Sequence, residues 1–98
     1  MNIAEFKSSF SRGTAPGGLP NTLQALWKAH QGDWHGAHAL VEDDPGEDAA
    51  WVHAYLHRVE GDEWNAGYWY RRAGKKLPQQ SLEAEWEAIV VELLVHLT

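Results

Sequence analysis

Apolar side chains recur at intervals of three and four along most of this chain, a spacing that predicts amphipathic helices. Leu23, Leu26, Trp27 and His30 form the first firm stripe, on a helix expected at about 22–31. Gly32 ends it, and Asp33 can cap a second helix at about 34–43, where Trp34, Ala37, His38 and Val41 share a face. Pro45 and Gly46 break the pattern, and Glu47 and Asp48 suit the positive end of a third helix, about 47–60. That helix carries Trp51, Val52, Tyr55, Leu56 and Val59. A fourth, about 62–73, follows at once and carries Trp64, Ala66, Trp69, Tyr70 and Ala73. Beyond Gly74 and Pro78 a last helix, about 81–96, shows Leu82, Trp86, Ile89, Val90, Leu93 and Leu97.

Residues 1–20 are read as a partly flexible leader. Ile3, Phe6 and Phe10 suit one or two helical turns that dock on the body, and SRGTAPGGLP is dense in helix breakers. The expected fold is therefore all-α: one helical domain over 21–98, built of two antiparallel helical hairpins with the C-terminal helix covering them. The second hairpin, residues 51–74, holds more aromatic surface than it can bury alone. The chain has six tryptophans. Each ring can remove roughly 150–250 Å² from water, so three or four turned inward would supply much of a small core. Surplus apolar area on the last helix would make it a self-association surface.

The two hairpins match at an offset of 29. Ala25, Gly32, Asp33 and Ala37 fall on Ala54, Gly61, Asp62 and Ala66. Glycine permits a left-handed exit from the first helix, aspartate caps the second, and the alanines let the axes approach. This skeleton over residues 22–76, with NAGYWYRRAGK at Asn65–Lys75, resembles helical repeats of the tetratricopeptide and Sel-like class. Segments such as the GDW and WVHAYLHR stretches are also similar to small bacterial helical proteins, a likeness that brings no activity with it. The repeat resemblance implies binding of a protein or peptide on a concave face rather than catalysis.

Candidate chemistry centres on histidine. His53 and His57 stand one turn apart on the third helix, Glu60 follows three residues on, and His35 and His38 belong to the helix expected beside them. Imidazole and carboxylate groups that converge in this way can ligate zinc or a similar ion, although the HExxH pattern of zinc hydrolases is absent. If His53 or His57 is half-buried, acidification should loosen the fold. A second candidate is a ligand or anion face made by His53, His57, Tyr68, Arg71 and Arg72, where cationic groups lie beside aromatic rings. The competing explanation is structural, because bases in a last helical turn are favoured by its negative end.

Charge and composition narrow the classes. Fourteen acidic against eight basic residues give a net charge of −6, which argues against general nucleic-acid binding. The absence of cysteine removes thiolate nucleophiles and disulfides and fits a cytoplasmic setting. The run Ala88–Leu97 is too short and too interrupted to cross a membrane. No phosphate-binding glycine loop or nucleophile elbow is present. These features lead to a non-catalytic, cofactor-free interaction or structural module that binds a protein partner or a second copy of itself. Small-molecule, anion or metal binding is the alternative.

Overall fold

The computed structural model describes residues 1–97, and among them it contains six α-helices and no strand. Helix α1 (Ile3–Ser8) runs into a short 3₁₀ turn, Ser9–Arg12. Asn2 and Glu5 form a reciprocal capping box at its start, and Phe6 is fully buried. The body comprises α2 (Asn21–His30), α3 (Trp34–Val41), α4 (Glu47–Val59), α5 (Glu63–Ala73) and α6 (Leu82–Val95). None of these helices is long and apolar enough to cross a membrane.

The repeat is visible in the backbone. Gly32 and Gly61 both lie at φ +84°, where a side chain would be strained. Each following aspartate amide donates 2.9 Å back into the preceding helix, Asp33 to the Lys28 carbonyl and Asp62 to the His57 carbonyl. Each aspartate then caps the next helix: Asp33 accepts from the Gly36 amide at 2.9 Å, Asp62 from the Asn65 amide at 3.2 Å. Ala25, Ala54, Ala37 and Ala66, the alanines of the repeat, are all buried. Small side chains at these positions let α2 pack on α3 and α4 on α5, the two most extensive helix contacts.

Helix α4 is the centre of the molecule. It touches α2, α3, α5 and α6, and every residue from Val52 to His57 is buried. Leu23, Leu26, Val41, Val52, Leu56, Ile89, Val90 and Leu93 meet in one core, with Phe6 of α1 and Trp86 of α6 against it. Ala54, Ala66 and Tyr70 make a smaller cluster between α4 and α5.

The tryptophans depart from the expectation of three or four inward rings. Only Trp86 is buried; Trp27, Trp34, Trp51 and Trp69 are half-buried, and Trp64 is 78 % exposed. Aliphatic side chains and alanines fill most of the centre, so the half-buried indoles are left to wall its edges. Their nitrogens have partners where the rings enter the protein: Trp27 donates to Ser9 Oγ at 2.9 Å and Trp34 to the Leu56 carbonyl at 2.6 Å.

Candidate metal-binding site

Three of the sequence-predicted histidines meet where α3 lies on α4. His38, His53 and His57 can each offer a ring nitrogen, and these nitrogens lie within 4.8 Å of one another. His53 and His57 are buried and stack 4.9 Å apart, as positions separated by one helical turn should. His38 reaches across from α3 and sets its Nε2 3.0 Å from His53 Nε2. Two zinc ligands at ~2.0–2.1 Å in a tetrahedral site would be about 3.3 Å apart, close to this separation.

The outer nitrogens of two of the rings are held by carboxylates. Glu42 Oε2 lies 3.2 Å from His38 Nδ1, and Glu60 Oε1 lies 2.5 Å from His57 Nδ1. A carboxylate on Nδ1 retains the proton there and leaves the lone pair on Nε2, the tautomer a metal ligand requires. Both pairs are local in sequence, at spacings of four and three along their helices.

His53 is different. It is 5 % exposed, and its Nδ1 has no hydrogen-bond partner. Burial, followed by the neighbouring His38 and His57, lowers its pKa from 6.5 to about 4, so the ring is neutral at physiological pH. A metal ion arriving there displaces no proton from this ligand. The unfolded chain binds a proton to this residue more readily than the folded one between pH 6.5 and about 4. Its stabilising contribution is therefore complete above pH 6.5 and lost as pH falls through that window. Unfolding free energy is expected to drop by roughly 1 kcal/mol from this residue between pH 7.5 and pH 5.5. Denaturant titrations that coincide at the two pH values would contradict a buried neutral His53.

Indole rings enclose the cluster on two sides. Trp69 of α5 stacks on His53 at 3.9 Å, and Trp34 stacks on His38 at 4.8 Å while meeting His57 edge-on at 5.8 Å. Walls of this kind fix ring orientation and exclude water.

The remaining predicted residues are arranged as follows. His35 is exposed and meets the edge of Trp34. Glu60 forms a second group with His57 and Asp62, but both carboxylates are more exposed than His57, and Asp62 is engaged at the start of α5. Tyr68 and Arg72 lie on the outer side of Trp69: Tyr68 contacts its ring edge-on at 5.1 Å, and Arg72 lies 5.1 Å above it and donates 3.2 Å to the Tyr68 hydroxyl. Arg71 is exposed beside Gly67. Trp69 thus stands between the histidines and the Tyr68–Arg72 pair. Of the nearby bases, Lys75 lies 4.1 Å over Trp51 and pairs with Glu92 at 3.3 Å.

Sequence reasoning missed Glu42, near the end of the second expected helix, and the walls Trp34 and Trp69. The His38–Glu42 spacing of four was the available signal for the first.

No family model matches the chain, and comparison with curated proteins and with solved structures gives no match either.

Proposed function

We propose that this protein binds a divalent transition-metal ion, with zinc as the reference case, through His38, His53 and His57. The observation that carries this reading is the convergence of three imidazoles, two with Nδ1 on a carboxylate and the third buried with an unmatched nitrogen. Neutral imidazole suits zinc, copper and nickel better than the hard cations magnesium and calcium. In this reading α2–α3 and α4–α5 are antiparallel hairpins in a tetratricopeptide-like arrangement. They serve to bring one histidine of the first hairpin onto two of the second.

Calorimetric titration with zinc at neutral pH is expected to give one site per chain with micromolar or tighter affinity. His38→Ala, a partly exposed ligand whose loss spares the core, should weaken binding more than about tenfold, equivalent to ~1.4 kcal/mol. Glu60→Gln, which keeps the shape but removes the charge behind His57, should weaken it by about 10–100-fold. Equal heats for the wild type and both variants would overturn the assignment.

A protein-binding surface is the second reading, favoured by Trp64, which stands 78 % exposed on α5 away from the histidines. Surface tryptophans of this kind anchor interfaces. Sedimentation at increasing concentration tests self-association. A mass above the monomer that Trp64→Ala abolishes would support it, and a monomer throughout would remove the second copy as the occupant.

A further inference from the structure

The composition of the cluster carries a consequence that rests on the metal reading above. A tetrahedral ion needs four donors, and sites closed by four protein ligands are structural, whereas three protein ligands leave a position for an exchangeable one. The converging histidines number three. Glu42 and Glu60 are held on the outer nitrogens of His38 and His57, where they orient ligands instead of acting as ligands. Asp62 is occupied twice by Asn65, through its backbone amide at 3.2 Å and its side chain at 2.6 Å. The Trp34 indole N–H is a donor, already given to the Leu56 carbonyl, and cannot ligate a cation. Cysteine is absent from the chain.

Solvent meets the cluster unevenly. The His38 side chain is 23 % exposed against 11 % for His57, while His53 is enclosed beneath Trp69. Access therefore lies on the α3 side, beside His38 and Glu42. We infer that the bound ion keeps one coordination position on that side for an exchangeable monodentate ligand, either water or a small anion. The site is thus an open three-imidazole centre and not a closed structural one. Three neutral imidazoles leave the full charge of the ion uncompensated by its ligands. A position of that kind attracts anions and lowers the pKa of bound water toward ~7.

Cobalt(II) is the probe, because its visible absorption reports both coordination number and ligand exchange. The full chain loaded with cobalt should show the intense visible bands of a four-coordinate ion. Added sodium azide should shift those bands and saturate at one azide per metal. Cobalt bands that azide leaves unmoved would show that the protein closes the site. That result overturns this inference and leaves the metal reading standing. Failure of cobalt to bind at all overturns the metal reading and the inference with it.

Discussion

Replacing Trp86 with alanine is expected to cost about 3–5 kcal/mol of unfolding free energy, the range for deleting a buried tryptophan. A domain of this size has ~5–15 kcal/mol in total, so the variant would be close to unfolded. Trp86 is 3 % exposed, and its indole nitrogen donates 2.9 Å to the Leu26 carbonyl in α2. Its ring lies 6.0 Å from both Phe6 and Phe10 and 4.9 Å from His30. One side chain therefore ties α6 to α1, to the 3₁₀ turn and to α2. Trp64→Ala is the control, and at an exposed site it should change stability by no more than about 0.5 kcal/mol. Guanidinium titrations of the two variants give the comparison. A Trp86→Ala cost below about 1 kcal/mol would show that the N-terminal segment does not depend on this ring.

The second large effect is expected at Glu85. Its carboxylate is 1 % exposed and accepts from Arg58 Nη1 at 2.9 Å and from the Tyr70 hydroxyl at 2.5 Å. Arg58 also donates to the Gln80 carbonyl at 2.5 Å. Burial, then the hydrogen bond to Glu85, drives the Tyr70 pKa upward, so the hydroxyl remains a donor to the carboxylate over the physiological range. Glu85→Ala leaves a buried phenol and a half-buried guanidinium without their partner. Breaking a buried pair from one side costs about 3–5 kcal/mol, and the partial exposure of Arg58 places this case at the lower end. Tyr70→Phe, which removes one hydroxyl and keeps both charges, should cost only about 1 kcal/mol. Equal small losses in both variants would mean that water replaces the carboxylate readily and that the pair is not buried in solution.

Glu85 also shows where sequence reasoning stops. Helix α6 reads as a greasy stripe whose charged residues, Glu83, Glu85, Glu87 and Glu92, are all acidic, with nothing local to single out one of them for burial. Burial depends on what stands opposite, and Arg58 and Tyr70 come from two other helices. Local chemistry was easier to read. Gly32–Asp33 and Gly61–Asp62 announced their turns because a left-handed residue and a helix cap each depend on a few neighbouring positions. Helix ends fell within two residues of the spans expected from spacing.

The histidines divide in the same way. His53 and His57 were paired by the helical period alone, whereas the 3.0 Å approach of His38 depends on how α3 lies on α4. His35 had an equal claim in the sequence, and only the rotation of α3 turns it outward. The tryptophans were placed too deep because ring size says how much area can be buried but not which rings reach the centre. Alanines and aliphatic residues took that space, which left Trp34 and Trp69 to flank the histidine cluster.

Nitrogen–proton correlation spectra of the histidine rings during zinc addition decide whether three particular imidazoles form one cation site. His38, His53 and His57 are expected to change together and saturate at one zinc per chain, while His30, His35 and His96 keep their positions. Ring signals that stay fixed through micromolar zinc, or six histidines that respond alike, would contradict it.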